Sequence, residues 1–324
     1  MPTTVYFATN RVVTAPASDW RNYGTSIVAP SDPAAMTYAT AFIDDSNLTA
    51  DTTGAIQSIQ SISQGGFSDD AIADLSAPGR NLLVFIHGFD NSFENAITRA
   101  AFNREWFAHS NVAAANTTVV AFAWPSRGKL LGFPLPWSDY TGDQTMAGQS
   151  GLHMMRFLAN LQPIIERARI SGSRVFLLAH SMGNWALQAA VESWYSHGNG
   201  DALLFDEVFL AAADEVYNTF DFPPPGRLSC LSRLTRRLSI YYSEADHVLG
   251  VATAVNLGAQ RLGQDGPYDR SNTGKFPPAR YRLINCTNDQ DYDPFDFASS
   301  HQYYRRSPSV RDNIVQTMTG AAGP

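Results

Sequence analysis

Cysteine is nearly absent: Cys230 and Cys286 are the only two in 324 residues. Two isolated thiols make neither a disulfide framework nor a metal-ligand cluster, and spacing alone leaves open whether they pair. No apolar stretch approaches the roughly 20 residues that span a bilayer, so no stable membrane insertion is expected. Charge is sparse, at 16% of residues, and 23 Lys and Arg against 30 Asp and Glu leave a net −7. That balance argues against nucleic acid or an anionic membrane as partner. No His and carboxylate pair has the helical spacing of a metal site, so neither metal nor other cofactor is expected. The first residues, Met1-Pro2-Thr3-Thr4-Val5-Tyr6-Phe7, lack a basic region followed by an apolar run. They read as no secretory signal, and a cytoplasmic location is expected unless such a segment has been removed.

What the chain has is core. Hydrophobic residues make up 44% of it, which suits one large α/β domain over residues 1–324. Strand-like runs at 81–87, 117–124, 174–179, 206–210, 237–243 and 279–286 alternate with helix-like stretches at 92–109, 142–170, 182–197, 248–262 and 308–319. Such alternation predicts a mainly parallel central sheet with helices on both faces. Residues 5–8 and 26–29 are expected to add two edge strands. Residues 31–80, rich in Ser, Thr, Ala, Asp and Gly, read as an irregular extension with one or two short helices.

The most informative run is Ala179-His180-Ser181-Met182-Gly183. An apolar strand pattern precedes it and a helical pattern follows. A serine at such a turn, with small residues two before and two after it, matches a nucleophile elbow; Ala179 stands where the usual pattern has glycine. A serine hydroxyl is a weak nucleophile and needs a base, which in turn needs orienting. With the chain order Ser, acid, His, only His247 and His301 of the seven histidines fall late enough. His247 directly follows Asp246 and is poorly placed for that acid to orient, so His301 is the expected base. Two acids follow strand ends. Asp246 is favoured because it follows the penultimate strand; Asp214, one strand earlier, remains the alternative. The oxyanion hole is expected from the backbone N–H of Met182 and of Phe89, the latter in the turn after His87-Gly88. His87 and His180 read as structural hydrogen-bonders.

Between Trp124 and Asp143 the chain carries Pro125, Gly128, Gly132, Pro134 and Pro136 among Leu130, Leu131, Phe133, Leu135 and Trp137. This stretch, at about 125–143, reads either as a loop packed on the core or as a cover over the active site. The substrate pocket is expected to be apolar, lined by Trp124, Trp185, Leu130 and Phe133; Trp185, on the first turn after Ser181, is equally placed for the core.

Together these pieces resemble the α/β-hydrolase superfamily, and within it the bacterial family of unknown function DUF900. The resemblance rests on Phe7-Ala8-Thr9-Asn10-Arg11, Phe85-Ile86-His87-Gly88-Phe89, Phe122-Ala123-Trp124-Pro125-Ser126, Leu178 to Asn184, Leu210-Ala211-Ala212 with Asp214, Tyr241-Tyr242-Ser243 with Asp246, and His301 with Tyr303-Tyr304. Relatives often carry a second acid two residues after the position of Asp214; here it is Val216, which lowers the weight on Asp214. The resemblance implies the α/β-hydrolase fold and carboxylesterase-type activity on a small-molecule ester, with no substrate specified. Lipase, amidase and acyltransferase activity remain alternatives within enzymes. A non-catalytic binding protein on the same fold is the alternative outside them.

Overall fold

The computed structural model describes residues 2–30, 32, 35–51, 54–113, 115–127, 137–289 and 297–320. Its strands are β1 (Thr3–Thr9), β2 (Arg11–Val13), β3 (Tyr23–Ile27), β4 (Thr37–Asp44), β5 (Ala55–Gln64), β6 (Asn81–Ile86), β7 (Thr117–Phe122), β8 (Val175–His180), β9 (Phe205–Ala211), β10 (Thr235–Tyr242) and β11 (Tyr281–Asn285). Its α-helices are α1 (Asp69–Leu75), α2 (Phe93–Ala108), α3 (Trp137–Gln149), α4 (Gly151–Ile170), α5 (Gly183–Ser196), α6 (His247–Val255), α7 (Leu262–Asp265), α8 (Tyr303–Arg306) and α9 (Pro308–Thr319).

Nine strands form one sheet in the order β11-β10-β9-β8-β6-β7-β1-β4-β5. From β11 to β1 every pairing is parallel; β4 and β5 close the far edge antiparallel. The alternation of β6 shows why both faces are covered. Leu82, Val84 and Ile86 face a core shared with α4 and α5, while Leu83 and Phe85 face one shared with α2 and α9. Burial on both faces is what makes the parallel strands near-continuous apolar runs.

The N-terminal third departs from expectation. Residues 31–80 are not an irregular extension with short helices alone: β4 and β5 lie there and complete the sheet, followed by α1. Residues 5–8 belong to β1, which is not an edge but lies between β7 and β4. Residues 26–27 fall in β3, which pairs with β2 in a separate two-stranded sheet. That small sheet is tied to the site by Arg11, a fully buried cation. Its Nη1 donates to Gly24 O at 2.9 Å, and its Nη2 to Trp124 O at 2.8 Å and Asn91 O at 3.1 Å. Burial pushes the Arg11 guanidinium down to about 9, with Asp143 opposing.

Cys230 and Cys286 are separate, buried free thiols. Among the described residues no helix is long and apolar enough to cross a membrane, and no three His, Cys, Asp or Glu cluster for a metal.

The chain enters β6, crosses to β7 on one side, then returns past β6 to β8 on the other. At such a switch point the loops leaving the carboxyl ends of β6 and β8 diverge and open a crevice. Ser181 and Gly88 sit there.

Candidate active site

Ser181 joins β8 to α5 with φ at +54°, in the left-handed region that disfavours any side chain. The surroundings hold it in place. Its N–H donates to Ala211 O at 3.0 Å, and its carbonyl accepts from the N–H of Asn184 at 3.0 Å and of Asp214 at 3.2 Å. Asn184 Nδ2 donates to the same carbonyl at 3.0 Å and to Ala179 O at 3.1 Å, bracing the turn from inside. Gly183 is required by closeness: a Cβ there would lie 2.5 Å from His87 O. Gly88 is required likewise, since its Cβ would lie 2.7 Å from that of Ser181. The elbow and the loop after β6 are thus packed backbone against backbone.

His301 reaches the same place from a 3₁₀ turn, Phe297–His301. Its Nδ1 meets Asp246 Oδ2 at 2.7 Å, and Asp246 is completely buried. The other carboxylate oxygen, Oδ1, accepts from Leu249 N–H at 3.0 Å and caps α6. One residue therefore starts a helix and orients an imidazole, so the carboxylate has little freedom to turn away. With the proton on Nδ1 toward Asp246, Nε2 carries the free lone pair. Nε2 is buried and, among the described residues, has no hydrogen-bond partner.

Tyr303 and His180 anchor this segment. Tyr303 Oη accepts from Ala212 N–H at 2.9 Å and donates to Tyr241 O at 2.8 Å, pinning α8 to the ends of β9 and β10. His180 Nε2 donates to His301 O at 3.1 Å, and its ring lies 4.8 Å from that of His301. Burial, then the neighbouring His301, holds His180 well below the usual histidine range. His87 stacks on Trp124 at 4.9 Å and is pushed down to about 3 by burial and then by Arg11. Its two nitrogens face two carbonyls, Gly88 O at 2.9 Å and Trp124 O at 3.1 Å. Two such acceptors favour the charged ring, but the loss of hydration is the larger effect, and a neutral ring has one N–H for the pair.

Of the two candidate acids, Asp246 meets His301. Asp214 lines the same cavity but is held by Tyr140 Oη, which donates to it at 2.7 Å, and by Arg261 Nε at 3.5 Å. His247 lies at the edge of the site, its ring stacked on Phe297 at 6.0 Å and its N–H donating to Ser300 Oγ at 3.2 Å.

Ser181, His301, Phe89 and Asp214 line a cavity of about 460 Å³. Its apolar wall comes from α6, through Val248, Leu249, Val251, Ala252 and Val255. This corrects the expected pocket lining. Trp124 is fully buried behind His87, with Nε1 donating to His87 O at 2.8 Å, and does not reach the cavity. Trp185 does not line the cavity either: on the first turn of α5 it packs against the core beside Gly148 of α3, 5.2 Å from the Arg227 guanidinium. Leu130 and Phe133 lie outside the described residues, as does the expected cover from residue 128 to residue 136. Met182 and Phe89, expected as oxyanion donors, flank the elbow and the turn after β6 respectively, and among the described residues neither N–H bonds to another backbone group.

The family of α/β hydrolases of unknown function, DUF900, matches residues 66–319. The chain belongs to this family. Ser181, Asp246 and His301 all fall inside the match. Membership supports a hydrolase and leaves the bond it cleaves unassigned. No curated protein matches the chain. Among solved structures, a variant of the AtxE2 isopeptidase with astexin3-dC4 bound matches at 11% identity and a TM-score of 0.35, over 99% of this chain. The chain spans 39% of that protein's length, and a likeness of this size carries no argument about it.

Proposed function

We propose that this DUF900 protein is a serine hydrolase that cleaves carboxylic esters through an acyl-enzyme. The observation that carries the reading is the buried His301–Asp246 pair, whose second imidazole nitrogen is unpartnered in the wall of the cavity that holds Ser181. In the proposed reaction Ser181 Oγ attacks the ester carbonyl while His301 Nε2 takes its proton. The carbonyl oxygen becomes an oxyanion, received by the N–H groups of Met182 and Phe89. His301 then gives the proton to the departing alkoxide, and the acyl group stays on Oγ. Water attacks next, losing a proton to Nε2, and the acid leaves as Ser181 regains its hydrogen. Asp246 keeps the imidazole in the required tautomer and stabilises it when charged.

The apolar α6 wall favours esters over peptides, because it supplies contact surface but few backbone partners. A p-nitrophenyl acyl ester series of graded length tests the assignment. Ser181→Ala and His301→Ala should each lower kcat by on the order of 10⁴-fold or more and by similar amounts, because the two act as one unit. Ser181→Ala retaining near wild-type hydrolysis would remove Ser181 from the mechanism.

A further inference from the structure

The cavity is not uniformly apolar. Besides the α6 side chains it is lined by Arg99 and Arg305. Arg305 is 6% exposed, yet its Nε and Nη1 are buried with no hydrogen-bond partner. Among the described residues no carboxylate forms an ion pair with it. The acids nearby are engaged elsewhere: Asp51 pairs with Arg306, and Asp214 with Arg261 and Tyr140. Arg99 is half-occupied, its Nη1 donating to Ala50 O at 2.5 Å, and it stands close enough to repel the Arg305 charge. Burial, then Arg99, pushes Arg305 down to about 9, so it still carries its charge at neutral pH.

A buried guanidinium without a partner is costly. Two adjacent ones at the edge of a catalytic cavity make a ready receptor for an oxyanion, because the guanidinium fork matches a carboxylate in two parallel hydrogen bonds. Asn95, also in the wall, adds an amide within the same region.

We propose that Arg305, with Arg99 beside it, binds a carboxylate carried by the substrate, so that the esters hydrolysed at Ser181 are anionic, such as monoesters of dicarboxylic acids. This rests on Ser181 being the nucleophile. The anionic arm lies along the arginine wall while the carbonyl faces Ser181 and the rest of the chain packs on α6. The anion supplies the counter-charge that Arg305 lacks, and the site selects against neutral esters by leaving Arg305 unpaired when they bind.

The experiment compares p-nitrophenyl hemiglutarate with its methyl ester, which has the same chain without the charge. Wild type should favour the charged ester by about tenfold or more in kcat/KM, mainly through KM. In Arg305→Met the ratio should fall to about one, and in Arg305→Lys it should be intermediate, because the fork is lost while the charge stays. A parallel measurement does not need turnover: glutarate, against sodium chloride at equal ionic strength, should raise the Tm of wild type and of Ser181→Ala but not of Arg305→Met. If Arg305→Met does not fold, Arg99→Gln is read in the same two assays and should weaken both responses. Equal kcat/KM for the two esters in wild type, with no Tm rise from glutarate, overturns the carboxylate site and leaves the esterase reading standing. Glutarate stabilising Ser181→Ala while neither ester is turned over keeps the anion site and removes the esterase. Inorganic phosphate stabilising more strongly than glutarate overturns the carboxylate assignment in favour of a phosphorylated substrate.

Discussion

Asp246 does two jobs with two oxygens, and the residue scale is where that can be tested. Asp246→Asn keeps an oxygen for the α6 cap but presents an amide to His301. It should lower kcat by about 10⁴-fold, as in triads whose acid is replaced, while Tm changes little. Asp214→Asn should leave kcat within about tenfold and instead lower Tm, since it weakens the Tyr140 and Arg261 contacts and leaves buried groups unsatisfied. A reversed ranking in kcat would move the acid to Asp214. Arg305→Met offers a third outcome: with the unpaired buried charge removed, Tm should rise by on the order of a few degrees in differential scanning calorimetry, so that stability and substrate discrimination move in opposite directions. That Ser181 sits at a strand-to-helix turn, and that Asp214, Asp246 and His301 follow strands, was legible because order along the chain and place after a strand are local properties. Asn184 and Tyr303 were not assigned roles, and His180 was read as a structural hydrogen-bonder without its partner His301, since what they do depends on contacts that chain order does not reveal. The closure of Tyr303 Oη onto Ala212 spans 91 positions.

At the scale of elements, the parallel strands β6 to β10 were readable for a physical reason: burial on both faces makes each a run of large apolar residues. β4 and β5 were not. β5 reads Ala55-Ile56-Gln57-Ser58-Ile59-Gln60-Ser61-Ile62-Ser63-Gln64, with isoleucines every third residue instead of every second. The register explains it. Ile43 pairs with Ile56 but Phe42 with Ser58, so a bulge at Gln57 brings Ile59 back to the same buried face as Ile56. A period of two is invisible where a bulge resets it. The pocket wall was misplaced for a related reason: α6 faces the cavity with small aliphatic side chains, which carry no signal beside two tryptophans. Val251→Phe should make that wall testable. It should shift the preferred acyl length of the ester series toward shorter chains, with the acetate ester within about threefold of wild type. An unchanged length profile would place the acyl chain elsewhere than along α6. Each methylene buried on this wall contributes up to ~0.8 kcal/mol to binding.

For the whole molecule, the buried histidines set an acid limit on stability. His87 and His180 are neutral when folded, with affinities for protons lowered by burial, while in the unfolded chain each titrates near 6.5. The folded affinity lies below the unfolded one, so the stabilisation is complete above about pH 6.5 and is lost as pH falls, for His87 until about 3. Each such histidine costs ~1.4 kcal/mol per pH unit in that window. Urea unfolding at pH 7.5 and at pH 5 should therefore differ by about 4 kcal/mol from these two residues together, and His87→Asn should shrink the difference. Equal stability at the two pH values would mean that the rings are charged when folded.

Arg11 has a consequence for where this protein can be cut. The family match begins at residue 66, and a gene fragment started there would still encode Ser181, Asp246 and His301. It would not encode β1, whose removal leaves β7 as a bare edge with unpaired amides. Nor would it encode the guanidinium that holds Asn91 O beside Trp124 O, the clasp behind the turn carrying Phe89. The stretch recognisable by descent is thus shorter than the stretch able to fold. Libraries, fusions or truncations planned on homology alone would yield a chain that keeps Ser181, Asp246 and His301 and no stable frame to align them.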